Sequence, residues 1–152
     1  MTHYPLLFGR RELLEGNGFI ARVSVSGRAL LADEDGEFWV EGVSPGGLAG
    51  HGKSPHEALA DFSAAFRAVL FDIAAEANSF EVFRQEVLRF FDETSGPALA
   101  EWEEAVRQVK AGQVTAEWLE KRPAESKLGI EVAKVSQPAA ANNDLGQATL
   151  AA

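Results

Sequence analysis

The stretch GLAGHGKS, Gly47 to Ser54, has the spacing G-x-x-x-x-G-K-S with which a loop offers backbone amides, a lysine and a hydroxyl to a nucleotide phosphate. Such a loop follows a buried strand of a parallel sheet, whereas the segments before it here read as a polar antiparallel meander. Pro55 also removes one amide from the helix start where a phosphate would dock. The expectation is therefore a glycine-rich turn, with Gly47 and Gly52 serving the backbone and Ser54 and Glu57 capping the helix that follows. The three histidines, His3, His51 and His56, lack the i, i+4 spacing of a helical metal site. No cysteine is present, which removes thiolate nucleophiles, disulfides and cysteine-held metals. There is no G-x-S-x-G elbow, and the carboxylate pairs Asp92-Glu93 and Glu103-Glu104 fall on expected exposed helix faces. The sequence thus points to no catalytic residue, no metal and no cofactor, and to a non-enzymatic chain.

Charge says more about a partner. The 152 residues carry a net charge of -9, unevenly spread: residues 29 to 104 hold 16 acids against four bases, while the remainder is net positive by 3. An acidic body repels a phosphate backbone, whose binding rests on lysine and arginine, so nucleic acid is left only to the C-terminal half. An acidic surface matches a basic protein instead. No apolar run is long enough to span a membrane, since Asp61, Arg67 and Asp72 break the longest candidate. The N-terminal MTHYPLLFGRRELLEG has no secretory pattern, so a cytoplasmic location is expected.

The elements that must position any surface follow from periodicity. GFIARVSVS alternates with period two, placing Phe19, Ala21, Val23 and Val25 on one face of a strand, with Gly27 read as a turn. Two β-prone runs flank Asp35-Gly36, a pair suited to the positive φ angles of a tight hairpin; LAGH reads as a further short strand. No helix-length segment separates these runs, so the sheet should be antiparallel. From Ser54 the chain reads as a long helix: Ser54 and Glu57 form a capping box, Pro55 takes the first position, and Leu59, Phe62, Phe66, Val69 and Ile73 form the buried stripe with Ala58 and Ala65. Phe71 lies off that stripe and calls for a second cover, for which the next helix is one candidate. That helix, capped by Asn78 with Glu81, would bury Phe80, Phe83, Val87 and Phe90 or Phe91, or would be a bent continuation of the first. A third opens at Pro97, buries Leu99, Trp102, Val106 and Val109, and stops at Gly112. Thr115 to Lys121 reads as a short helical turn and GIEVAKV as a weak strand. Residues 137 to 152, without an aromatic, read as a disordered tail.

Trp39 lies on a strand whose other face is claimed by Phe38 and Val40. An outward tryptophan there, with Glu41 and His51, is the expected partner-binding patch. The segment EDGEFWVEGVSPGGLAGHGKSPHEALADFSAAF resembles the HicB-like antitoxin domain through Asp35-Gly36, Phe38-Trp39-Val40, Pro45-Gly46-Gly47, Gly52, Ser54, Glu57 and Ala58, over about residues 28 to 70. The resemblance implies a small antiparallel meander packed against one long helix; with the additional C-terminal helices read from periodicity, the expected fold class is α+β. It also implies a protein partner, a small basic RNA-cleaving toxin neutralised by occlusion. The expected organisation is a core at 1–94 with its N-terminal strand and helical extension, a helical and short-strand extension at 95–136, and the tail at 137–152. Two alternatives stay open: a DNA-binding regulator using the C-terminal helices, and a self-associating structural protein whose open sheet edges pair into a homo-oligomer.

Overall fold

The computed structural model describes residues 1–136 and 144–152. The protein is α+β: a mostly antiparallel sheet of seven strands with three helices among the described residues. Strands β1 (Thr2–Glu15), β2 (Ile20–Glu34), β3 (Glu37–Ser44) and β4 (Gly46–Gly52) form an antiparallel meander, followed by helices α1 (Pro55–Glu76), α2 (Phe80–Asp92) and α3 (Gly96–Lys110). Strands β5 (Lys121–Arg122), β6 (Gly129–Val135) and β7 (Asp144–Ala151) complete the sheet, whose order is β4-β3-β2-β1-β7-β5. Strands β6 and β3 share one edge of β2 in tandem, β6 along Ile20 to Ser26 and β3 along Arg28 to Glu34. Among the described residues only the two-residue β5 runs parallel to its neighbour.

The sheet is therefore larger than the small meander the sequence suggested, and three expectations are corrected with it. First, Thr2–Glu15, for which no element was expected, is a full strand, β1, that pairs with β2 over its whole length, Thr2 opposite Asp33 through Glu15 opposite Ile20. Second, Gly27 is no turn but an interior position of β2, where a Cβ would come within 2.3 Å of the Ser44 carbonyl oxygen and 2.6 Å of the Phe8 ring. Its missing side chain permits close approach rather than a bend. Third, residues 144–151 form a strand rather than a disordered tail: β7 pairs with β1, and Leu150 and Ala151 are wholly buried. The rest of that tail, 137–143, lies outside the described residues. Within 95–136, α3 packs on one face of the sheet and β6 hydrogen-bonds to β2.

Adjacent residues of a strand point to opposite faces, and both faces of this sheet are used. Leu6, Phe8, Leu14, Val23, Val25, Leu31 and Val40 face α1 and α2, whereas Leu7, Leu30 and Val43 face α3. On the first side Phe8 meets Phe62 and Phe66 edge-on at 5.4 and 6.2 Å, and Phe19 packs on Phe83 at 5.3 Å. On the second, Trp102 of α3 is buried and donates its indole N–H to the Leu6 carbonyl at 3.1 Å, which satisfies the one polar atom of that side chain.

The start of α1 agrees with sequence logic in detail. Ser54 accepts from the Glu57 N–H, and the Glu57 carboxylate accepts from the Lys53 N–H at 2.8 Å. The second cap is Ser79, accepting from Val82, in place of Asn78; Ser95 caps α3 by accepting from Ala98. The deepest stripe on α1 is Ala58, Phe62, Phe66, Leu70 and Ala74, a strict i+4 row, with Leu59, Val69 and Ile73 only partly buried beside it. Helices α1 and α2 are separate because Ala77 is extended; the Asn17 side chain donates to the Ala75 and Ala77 carbonyls at that break. Phe71 finds no cover and stays 44% exposed. Thr115 to Lys121 forms no helix: Glu117 and Trp118 make a turn and Lys121 begins β5. No helix is long and apolar enough to cross a membrane among the described residues.

Candidate functional site

Strand register brings the sequence-selected patch together. Asp35 and Gly36 have φ of 52° and 81°, so the two-residue turn between β2 and β3 holds both in the left-handed region that asparagine, aspartate and glycine tolerate best. That turn sets the β2–β3 register, which places Ala32 opposite Trp39, and β4 in turn places His51 opposite Trp39. With His3 opposite Ala32, four residues from four neighbouring strands stand in one row on one face: His3, Ala32, Trp39 and His51. Leu30, one step inward along β2, is buried under α3, while Ala32 is only partly covered and Trp39 is 49% exposed. The sheet thus emerges from beneath α3 between these two positions.

His51 is held from three sides. Its ring lies 4.1 Å from the Trp39 ring at an interplanar angle of 37°. Its Nε2 donates to the Glu37 carboxylate at 2.6 Å, and its backbone N–H donates to the Asp61 carboxylate of α1 at 2.9 Å. The result is a rigid outward aromatic pair between two carboxylates, Glu37 and the exposed Glu41. A fixed aromatic surface loses little side-chain entropy on contact, and an electron-rich indole face attracts guanidinium and ammonium groups. Sequence reasoning selected Trp39, Glu41 and His51 and missed Glu37 and Asp61. Glu37 was legible in principle, two residues from Trp39 and so on the same face; Asp61 was not, because only the packing of α1 on β4 brings it near.

The other residues singled out in the sequence serve the backbone. Gly47 has a φ of +79° at the start of β4, and Gly52 ends that strand against α1, where a Cβ would meet Glu57 at 2.5 Å and Ala58 N at 2.7 Å. The strand that carries GLAGHGKS runs antiparallel to β3, and the Lys53 amide is occupied by the Glu57 carboxylate. That acid stands where a phosphate oxygen would need to be, so the motif spacing does not produce a phosphate cradle. Among the described residues no group of three histidine, aspartate or glutamate side chains is arranged to hold a metal.

A second feature lies beside the row. An open cleft of about 270 Å³ is lined by His3 of β1 and by Ala100, Glu101, Glu104, Ala105 and Gln108 of α3. Glu104 is also paired with Arg107 one turn away at 2.7 Å, both side chains more than half exposed. The opposite flank of α3 carries Glu103, and there the Arg28 guanidinium stacks over Trp102 at 5.3 Å. Burial lowers the pKa of Arg28, and the charge of Glu103 opposes that shift. With its apolar face against the sheet and carboxylates on both flanks, α3 offers little to a DNA phosphate backbone.

The fold and the patch together define an α+β protein with a rigid, acid-flanked aromatic surface on one sheet face. Compared with family models, curated proteins and solved structures, the chain matches none.

Proposed function

We propose that this chain is a non-enzymatic protein-interaction module, cytoplasmic, whose Trp39–His51 surface receives a basic partner protein and occludes it. The observation that carries the reading is Trp39 itself: a tryptophan 49% exposed yet packed against the His51 ring, with Glu37 and Glu41 alongside. Interface energy concentrates in tryptophan, tyrosine and arginine side chains. Charge supports the same reading, because 16 of the acids fall in residues 29 to 104. Complementary charge would raise the rate of encounter, and the aromatic contact would set the lifetime of the complex. The resemblance to the HicB-like antitoxin domain supplies the class of partner, a small basic RNA-cleaving toxin.

The test is a binding titration read by tryptophan fluorescence and calorimetry, using an arginine-containing peptide and its glutamate-containing counterpart. The basic peptide should bind and the acidic one should not. Trp39→Ala should weaken binding at least about tenfold, corresponding to roughly 1.4 kcal/mol. Association should slow as salt is raised. Equal affinity for both peptides, or no effect of Trp39→Ala, would overturn the proposal.

A further inference from the structure

The register row and the α3 cleft share one face of the sheet, and their chemistry is the same. Trp39 on β3 and His3 on β1 are two strands apart, about 9.6 Å at the usual spacing between neighbouring strands. The floor between them is Ala32, too small to obstruct a chain laid across it. At one end an indole face lies between Glu37 and Glu41; at the other, His3 opens into the cleft bounded by Glu101 and Glu104, with an apolar floor from Ala100 and Ala105. The two ends each present two carboxylates beside an apolar surface. That is the environment in which a long cationic side chain lays down its methylenes and keeps its charge paired.

We propose that this face is a two-subsite groove for one extended basic segment, with one arginine over Trp39 and a second in the cleft at Glu101 and Glu104. The proposal rests on the interaction reading above and specifies its occupant. In an extended segment, side chains two residues apart lie on one side and are separated by about 7 Å at the backbone, so two arginines splay only modestly to reach both ends. Planar guanidinium suits both subsites better than ammonium, since it stacks on the indole and forks onto paired carboxylates. The Glu104–Arg107 pair is no barrier, because an exposed i, i+3 ion pair is worth little and yields to a better-placed cation.

The experiment uses the full chain and three capped peptides: one with two arginines separated by an alanine, one with a single arginine, and one with two glutamates in place of the arginines. The two-arginine peptide should bind about fivefold tighter than the one-arginine peptide to the unaltered protein. In the double variant Glu101→Gln and Glu104→Gln, both positions being exposed, that advantage should vanish while the one-arginine affinity is retained; thermal melts confirm the fold. Trp39→Ala should weaken both arginine peptides. If Trp39→Ala weakens binding but the double variant leaves the ratio unchanged, the second subsite is wrong and the interaction reading stands. If neither arginine peptide binds, or the glutamate peptide binds as well, both are overturned.

Discussion

Arg67 of α1 reaches across the helix–sheet interface to Glu12 of β1, its Nε donating to the carboxylate at 3.3 Å, with the carboxylate wholly buried and the guanidinium 40% exposed. Arg10, also buried and two residues away on the same strand face, pairs with the other carboxylate oxygen. One acid therefore neutralises two arginines inside an otherwise apolar layer. Removing it takes a buried carboxylate from the buried Arg10 guanidinium as well as from Arg67, a larger penalty than losing the part-exposed Arg67 alone. Glu12→Ala should cost about 3 kcal/mol or more in urea denaturation, and Arg67→Ala about 1 kcal/mol, because water can replace the exposed partner. An Arg67 variant less stable than the Glu12 variant would contradict this ordering.

Tyr4 is the only tyrosine, so its titration can be followed directly by phenolate absorbance. Burial raises its pKa first, and the negative charge of Asp33 adds to the shift. The folded protein thus holds the phenolic proton more tightly than the unfolded chain does. Its contribution to stability is complete below the ordinary phenol value of 10.0 and is lost as pH rises through the higher folded-state value. The native midpoint should lie above that found in denaturant, and Asp33→Asn should move it only part of the way back. A native midpoint at or below the denatured one would refute the assignment.

Elements whose signal is local were legible in the sequence. The Asp35-Gly36 turn, the Ser54 cap with Pro55, and the antiparallel sense of β2 to β4 follow from turn chemistry, capping chemistry and short connections, and each is where that logic puts it. What was not legible depends on distant segments. β1 holds Arg10 and Glu12 on its buried face, so its alternation looks broken until Arg67 arrives from α1 to complete the pairing. β7 looks like a tail because small and polar residues make up most of it, yet β1 pairs with it, and Val109, Ala116 and Tyr4 pack around Leu150. The same division runs through the candidate site: Trp39, Glu41 and His51 were readable from strand parity, whereas His3, Asp61, Glu101 and Glu104 join them only through register and helix packing.

Leu150 turns this difference into a measurement. It is wholly buried in a cluster with Val109 and Ala116, opposite Leu6 of β1. Leu150→Ala should destabilise the fold by roughly 2–5 kcal/mol, the range for emptying a buried leucine site. A disordered tail would give no effect, so a change within about 0.5 kcal/mol in a denaturation curve would remove β7 from the fold.

Gly50 joins stability to the binding surface. It lies on β4 where α1 comes closest, and a Cβ there would stand 2.4 Å from the Phe62 backbone nitrogen and 2.5 Å from the Ala58 carbonyl oxygen. Both are atoms of the helix backbone, so no side-chain rotation relieves the contact and α1 must move away from the strand. Gly50→Ala should cost about 1–3 kcal/mol as an overpacked site. It should also lengthen the bond from His51 N–H to Asp61, which sits one residue on, and loosen the Trp39–His51 pair. Trp39 fluorescence would then become more open to a soluble quencher in a chain that is still folded. Gly129→Ala on β6, where no described residue lies within 4 Å of the added carbon, is the matched control and should leave both stability and quenching unchanged. Equal behaviour of the two variants would mean that α1 does not rest on β4 at this position, and that the rigidity of the aromatic pair has another source.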